Sequence, residues 1–401
     1  MTAFMFINQY ASTPDYGYAG RSYYFARSLQ EKGHQVLLVV SANHHLLRQK
    51  PKFKGMWSFE THQGLSILWL KTFNYKIANS PIRIVNWFLF LAYMPFLSLL
   101  KMKPAILHYS SPSPVGFIGV WILSKLISAK TCLDIRDVWP ATLISIGNIS
   151  KKHPLIRMLY WVEKFSAEKA DKVTSNLANY SLRLKEMGLV DDNFEWVPNG
   201  IAVEDIESSY ANSTITLPET CKGKFVVAYT GTLGKANALE HVLDVADILA
   251  GKDDIVFLFV GHGKEHNNLI KICEDKGLKN IVFHQPVDKR DIYKLQSLCH
   301  VLCVGAKASP LYKYGVSPNK LFEYMFSGVP IIYYINSPLY SPVADAGCGL
   351  EISSSDPEEF SQAILHIKNM SCDELQDMAE SGIAYAKKNH VYSSLVNKLL
   401  F

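Results

Sequence analysis

Lys320 and Glu323 stand three residues apart in the stretch GVSPNKLFEYMFSGVPIIYY, residues 315–334. A cation and a carboxylate one turn apart can neutralise an anion and hydrogen-bond a hydroxyl. The surrounding sequence predicts a helix. Ser317 reads as its N-cap, Pro318 as its first residue and Gly328 as the left-handed stop before an apolar strand. A lysine in the first turn opposes the helix dipole. Lysine before glutamate is also the weaker order for a helical ion pair. An anion held at that helix start would offset the cost.

Other residues of this kind sit where strands end. Gly17 and Gly20 precede the helix that begins at Arg21, and glycine beside helical amides admits a phosphate. Gly231 and Gly234 precede another helix, with Lys235 able to reach an anion at its start. Gly261 and Gly263 close a third strand, next to His262. None of these loops matches a dinucleotide fingerprint or a Walker loop, so a nicotinamide dehydrogenase and a P-loop enzyme are both disfavoured. Asp134, Arg136 and Asp137 close the strand KTCLDIR beside Trp139 and Pro140. Charges there are placed for acid–base work, or form a structural Arg–Asp pair. His108 in AILHYS is a further candidate at a strand end.

Strands and helices must alternate to position these residues, and the chain reads that way twice. FMFINQY, HQVLLVVS, LSILWL, AILHYS and KTCLDIR read as strands of a first parallel sheet, with RSYYFARSLQEKG as a helix stopped by Gly33. A long helical region is expected over residues 154–187, and a linker from 194 to about 220. KFVVAYTG, DIVFLFVG, NIVFHQ, HVLCVGA and VPIIYY form the second series. A last helical region, about 373–400, is expected to cross back to the first half. Ligands of such sheets bind outside the carboxyl ends of the strands, so a cleft between two domains is the expected active site.

The chain has 401 residues with 48% hydrophobic and 19% charged, enough to bury two sizeable cores. A formal charge of +5 is too small to imply nucleic acid, but suits a mildly basic face. Seven scattered cysteines, without zinc spacing, fit reduced thiols. The N-terminus lacks a basic region followed by a long apolar run, so no signal peptide is expected. Residues 84–100, IVNWFLFLAYMPFLSLL, are apolar and flanked by Arg83, Lys101 and Lys103. Three readings compete: a helix in the membrane interface, a core helix, and a short span. Trp87 and Tyr93 with the flanking cations favour the interface, and Trp87, Phe88 and Leu91 are the residues expected to meet lipid. PVGFIGVWILSKLIS, residues 114–128, extends the same apolar character.

Taken in order, GYAGRSYYFARSLQEKGHQV, VPNGI, YTGTLGKANALEHVLDVA, FVGHGKE, SPNKLFEYMFSGVPII and DAGCGLEI resemble glycosyltransferase family 4. DIRDVWPATL resembles the branch that builds bacterial O-antigen and capsule units, including fucosamine-transferase-like members. The resemblance implies an α/β chain of the GT-B fold: two Rossmann-like doubly wound domains facing a cleft. The expected parts are an acceptor-binding domain over 1–203, a nucleotide-sugar-binding domain over 204–385 and a helix over 386–401 returning to the first. The implied activity is a retaining transfer of a hexosyl or N-acetylhexosaminyl group from a nucleotide sugar, with UDP the expected carrier.

The resemblance also implies roles. Glu323 matches the second glutamate of an E-x7-E motif and would hydrogen-bond the ribose. Lys320 would face the diphosphate or the sugar. Gly231, Thr232 and Lys235 would lie by the diphosphate, with Gly261, Ser317 and Asn319 completing the donor site. Pro286 and Val287 would hold the base. Gly20 and Arg21 would face the sugar or acceptor, with Tyr16, Gly17 and Arg136 on the acceptor side. Asn199 and Gly200 would form the hinge. Two departures stand out: Gly315 replaces the first motif glutamate, and Thr232 replaces an arginine common in relatives. The family's usual histidine is not evident, so Asp137 or His108 takes that place in the catalytic set, with Lys320 and Glu323.

Lysines and helical amides can stabilise a leaving diphosphate without a metal, so no cofactor is expected. The expected acceptor is a polyprenyl-diphosphate-linked saccharide, reached from the inner face of the cell membrane by a cytoplasmic, peripheral protein. The alternatives are a nucleotide-sugar epimerase of the same fold and a non-catalytic nucleotide-sugar-binding protein.

Overall fold

Every residue of IVFLFV is buried, as a parallel strand covered by helices on both faces requires. The computed structural model describes the chain apart from residues 1, 18, 53–54, 76–79, 112–114, 148 and 354–355. Pro114, at the head of the second apolar stretch, is among these. The chain forms two compact units, Met1–Pro198 with Tyr392–Phe401, and Asn199–Val391.

The first unit runs β1 (Ala3–Ile7), α1 (Gly20–Glu31), β2 (Gln35–Ser41), β3 (Trp57–His62), β4 (Leu65–Leu70), α2 (Ile82–Tyr93), β5 (Ile106–Ser110), α3 (Gly116–Ile127), β6 (Lys130–Ile135), α4 (Ala141–Gly147), α5 (Pro154–Lys169), β7 (Lys172–Ser175), α6 (Tyr180–Glu186) and β8 (Phe194–Trp196). The sheet order is β3-β4-β2-β1-β5-β6-β7-β8. All pairs are parallel except β3 with β4. The order of strand addition reverses between β1 and β5, so the loops after these parallel strands flank the switch point.

The expected helix over 154–187 is interrupted. Ala170 leaves the helix with extended dihedrals. The Asp171 carboxylate then accepts from the amide and hydroxyl of Thr131, at 2.7 and 2.8 Å, which starts β7. KVTS is too short to carry a strand signal in the sequence, yet Val173, Thr174 and Ser175 are buried.

The second unit runs α7 (Val203–Asn212), β9 (Phe225–Thr230), α8 (Glu240–Ile248), β10 (Ile255–Val260), α9 (His266–Lys276), β11 (Ile281–His284), α10 (Lys289–Ser297), β12 (Val301–Gly305), α11 (Asn319–Ser327), β13 (Ile331–Tyr334), α12 (Pro342–Ala346), β14 (Gly349–Glu351), α13 (Pro357–Lys368) and α14 (Cys372–Asn389). Its six strands are all parallel in the order β11-β10-β9-β12-β13-β14. The switch point lies between β9 and β12. The stretch expected to be a linker holds α7, whose Ile206 is buried in the core of this unit.

The last helical region is also broken. α14 ends at Asn389, and His390 is buried, stacked on Phe322 at 3.8 Å. A short helix, α15 (Tyr392–Leu395), and a 3-10 turn, Val396–Leu399, then complete the first unit. There Tyr392 stacks on Tyr24 at 5.0 Å, and Lys398 donates to the Trp196 carbonyl at 3.0 Å.

Candidate functional site

At the switch point of the second unit, α11 delivers Lys320 and Glu323 beside the loop that follows β9. The helix starts one residue later than the sequence predicts. Pro318 occupies the N-cap, without a side-chain cap, and Asn319 is the first helical residue. Ser317 therefore does not cap. Its hydroxyl accepts the Asn199 amide at 3.2 Å, and its carbonyl accepts from Asn199 Nδ2 at 2.7 Å. Gly328 ends the helix in the left-handed region, as expected.

Lys320 Nζ lies 3.8 Å from the centre of the Tyr229 ring. Among the described residues no carboxylate is within ion-pair distance of it. Burial pushes its ammonium down to about 7, with Glu323 pulling the other way. Glu323 Oε1 accepts from the Tyr293 hydroxyl at 3.2 Å. Burial raises the Glu323 carboxyl, against the opposing pull of Lys289 and Tyr293. The predicted pair is thus a lysine whose proton is held less tightly than usual, seated on an aromatic ring, and a carboxyl group held by a neighbouring helix.

The glycines of this unit serve loop packing. Gly231 has φ 133° and Gly261 φ 141°. A Cβ on Gly261 would stand 2.0 Å from the Gly231 carbonyl oxygen, and one on Gly263 would stand 2.1 Å from that of Leu233. The two loops also exchange backbone bonds, Leu233 N to His262 O at 3.1 Å and Glu265 N to Leu233 O at 3.0 Å. Gly261 therefore lets the β9 loop approach, and Gly231 comes closest to Lys320. Thr230, beneath this loop, accepts from Gln296 Nε2 at 2.9 Å and is bonded to Tyr324 Oη.

Gly231 and Thr232 are exposed, and so is Lys235, in a 3-10 turn (Lys235–Asn237) ahead of α8. The first turn of α8 already carries Glu240, paired with Lys307 at 3.2 Å, so its dipole is met without a ligand. Pro286 is exposed and Val287 partly buried, just after β11. Gly315 has φ 94° and ψ 169°, a conformation open to glycine rather than to the glutamate expected there.

The first unit corrects several expectations. Arg21 is 1% exposed and does not face a binding surface. Its guanidinium donates to Asp134 Oδ1 at 2.8 Å and to the Val197 and Pro198 carbonyls at 2.9 and 3.1 Å. Ser110 and Thr174 complete the shell of Asp134 at 2.8 and 3.1 Å. Burial raises the Asp134 carboxyl, but Arg21, His108, Arg136 and the Ser110 hydrogen bond together outweigh it and hold the group below the ordinary range. His108 lies inside β5, not at its end. It is buried against Phe6 at 4.6 Å, and among the described residues neither ring nitrogen has a hydrogen-bond partner. Burial pushes it down to about 4, so it is a neutral core histidine rather than a base.

Tyr16 donates to Glu60 Oε1 at 3.1 Å, and Gly17 is packed against the backbone of Leu46. Gly20 is buried as the first residue of α1. These positions shape a turn. Asp137 accepts from the Val138 amide at 2.8 Å and the Thr142 hydroxyl at 2.7 Å, which closes the turn into α4, and burial raises its carboxyl. It also lines a cavity of about 40 Å³ with Tyr109, Ser111, Trp139 and Ser166. Arg136 is half-buried, and its amide donates to Ser111 Oγ at 3.1 Å. Asp137 and Arg136 are the predicted residues of this unit that keep partial access to solvent near the ends of β5 and β6.

The apolar segment over 84–100 folds as α2 and a 3-10 turn, Met94–Leu99. By length and composition it could cross a membrane. Asn86 nevertheless fastens it inward, bonding both the amide and carbonyl of Phe73 at 2.9 and 2.8 Å. Trp87, expected at lipid, is 4% exposed and donates to Tyr10 Oη at 2.7 Å. Leu91 is also turned inward, while Phe88 is 46% exposed. Val85, Phe96 and Leu99 are exposed with Phe88, as are Ile122 and Leu126 on α3 and Trp161 on α5.

The sequence did not single out Tyr229, Tyr293, Tyr324 or Gln296. Tyr229 read as one more strand residue, and nothing in VVAYTG marks which side chain lies under a lysine ninety residues on. Among the described residues, no group of three or more His, Cys, Asp or Glu is placed to hold a metal ion.

Two Rossmann-like units built on parallel sheets define a class, and comparison with known proteins agrees with it. Residues 17–200 match the family described as glycosyl transferase 4-like domain, and residues 218–388 match glycosyl transferases group 1. The chain is a glycosyltransferase of the GT-B type, related to enzymes of bacterial polysaccharide biosynthesis. It is 22% identical to WcaI of Escherichia coli (strain K12), named for colanic acid biosynthesis, over 75% of each chain. It is 21% identical to TuaH of Bacillus subtilis (strain 168), named for teichuronic acid biosynthesis, over 76% of this chain and 73% of that one. The fold resembles that of Anabaena Alr3699/HepE in complex with UDP and glucose, with TM-score 0.68, 10% identity and 100% and 98% of the two chains covered. It also resembles an E. coli trehalose-6-phosphate protein bound with UDP-2-fluoro glucose, with TM-score 0.73, 11% identity and 99% and 97% covered.

Proposed function

We propose that this protein transfers a hexosyl or N-acetylhexosaminyl group, with retention, from a UDP-sugar to a polyprenyl-diphosphate-linked saccharide in O-antigen or capsule assembly. One observation carries the reading: Lys320, without a carboxylate partner among the described residues, lies beside the exposed Gly231 turn at the switch point of the second unit. A nucleoside diphosphate there would meet the ammonium, the Thr232 amide and the first-turn amides of α11, preorganised for charge that develops on the leaving group. Glu323, one turn deeper, would take the ribose hydroxyls in this reading. Front-face attack by the acceptor hydroxyl, with the departing phosphate taking its proton, needs no nucleophile from the protein. This reading assigns the charge role to Lys320 and the amides rather than to a metal, so transfer is expected to persist in EDTA.

On the acceptor side, the reading keeps Arg136 and Asp137 and drops Arg21 and His108. The outward residues Val85, Phe88, Phe96, Leu99, Ile122, Leu126 and Trp161, with exposed Lys101, Lys103, Arg157 and Lys164 on neighbouring elements, suit the interface of an anionic bilayer. The protein would then work at the inner face of the cell membrane.

The test is incubation with a panel of UDP-, GDP- and dTDP-sugars and a polyprenyl-diphosphate saccharide, with products read by mass spectrometry. Sugar transfer to the lipid is the expected result. Isomerised free donor would replace the reading with an epimerase, and binding without turnover with a non-catalytic role.

A further inference from the structure

Tyr229 is buried at the penultimate position of β9, and both of its functional surfaces are in use. Its ring carries the Lys320 ammonium at 3.8 Å. Its hydroxyl donates to the Thr232 carbonyl at 2.8 Å, and Asn237 Nδ2 donates to the same oxygen at 2.9 Å. The turn between these two attachments is Gly231, where a Cβ would stand 3.0 Å from Lys320 Nζ and 3.8 Å from the Tyr229 hydroxyl. One side chain therefore ties down both the cation of α11 and the Thr232 carbonyl of the exposed β9 loop. Core packing alone would ask only for a ring of this size, as its contact with Phe259 at 6.4 Å illustrates.

We propose that Tyr229 is a positioning residue of the donor site, holding Lys320 on its ring and the Thr232–Leu233 peptide on its hydroxyl. The inference rests on the reading that the donor diphosphate binds at Lys320. Its physical basis is preorganisation: a lysine free to swing into water would lose rotamer freedom on binding, whereas one already seated has little left to lose. The ring's negative face also favours the ammonium over the neutral amine, countering the desolvation that burial imposes. The titratable groups around Lys320 are Tyr229 from β9, kept a neutral phenol by burial, and Glu323 from its own helix, with Lys289 of α10 acting on Glu323.

The experiment is calorimetric titration of the full chain with UDP at several pH values from 6 to 9, with folding of each variant followed by near-ultraviolet circular dichroism. Tyr229→Phe keeps the ring and releases Thr232, so its Kd is expected to rise up to about tenfold with an unchanged pH profile. Tyr229→Leu removes the ring as well, and its Kd is expected to rise about thirtyfold or more. Its loss should be larger at pH 8 than at pH 6, because Lys320 would give up its proton earlier. A folded Tyr229→Leu that binds UDP like the wild type, while Lys320→Met does not, would overturn the inference. Lys320→Met binding normally would instead overturn the donor-site reading itself. If the leucine variant does not fold, Tyr229→Phe decides: a loss with unchanged pH profile supports the tether, and wild-type affinity refutes it.

Discussion

The carbonyl oxygen of Gly231 lies 2.0 Å from the point where a Cβ of residue 261 would be, so the two loops that close β9 and β10 can coexist only with glycine at position 261. Gly261→Ala must push the β9 loop away, since the atom it meets is backbone. UDP affinity is expected to fall about tenfold or more, with a smaller effect on the thermal midpoint. Unchanged UDP binding by calorimetry would show that the loop position is irrelevant to the donor.

Glu323→Ala should cut sugar transfer by about two orders of magnitude. The partner left behind, the hydroxyl of buried Tyr293, loses its acceptor, so a small fall in the thermal midpoint should accompany the larger loss in turnover and donor KM. Near-wild-type transfer would remove Glu323 from the site.

Lys320 trades stability for binding. Its ammonium is pushed down to about 7 in the fold and titrates at the ordinary lysine value when unfolded. The unfolded chain therefore binds more protons between those values, and this residue's contribution makes stability rise with pH above about 7. Below 7 the buried cation is a standing cost. Lys320→Met is accordingly expected to melt a few degrees higher than wild type at pH 6 (about 2–4 °C) while losing UDP binding. A lower melting point at that pH would contradict the placement of Lys320. In the intact protein, bound UDP should raise the Lys320 value, so binding at pH 8 takes up a proton, measurable as buffer-dependent heat.

His108 sets an acid-stability slope. It is pushed down to about 4, against the ordinary value near 6.5 in the unfolded chain. As pH falls from 6.5 to 4, the unfolded state binds a proton that the fold refuses, and stability drops by up to about 3 kcal/mol. Urea unfolding of His108→Leu over this range should show a flatter profile. An equal slope in both proteins would mean that His108 does not hold this position.

The proposed contact with lipid rests on outward residues of α2 and of the 3-10 turn that follows it. Phe88→Asp and Phe96→Asp should each weaken sedimentation with anionic liposomes about tenfold, the scale of losing one inserted aromatic side chain. Trp87→Phe, which loses the bond to Tyr10 and part of the packing on Trp139 and Arg83, should leave lipid binding intact and lower the melting temperature. The reverse pattern would place Trp87 at the membrane after all.

Much of the architecture was legible in one dimension. Continuous apolar runs such as IVFLFV and HQVLLVVS became buried parallel strands, and Gly328 ended α11 as its position implies. What escaped was short or cooperative. KVTS became β7 because Asp171 found Thr131 forty residues upstream. Ser317 gave up a capping role because Asn199 competes for its hydroxyl.

The identity of the charged residues in the site was written in the chain: a lysine and a glutamate at one helix start, an arginine at another. Their fates were decided by what stands opposite. Arg21 meets Asp134, 113 residues away, and is consumed in a buried ion pair. Lys320 meets an aromatic face instead of a carboxylate and stays available. Local periodicity reports which face of a helix is apolar, because that depends only on spacing. Whether a buried charge is neutralised or left for a ligand depends on a partner brought near by the fold, and sequence distance carries no trace of it.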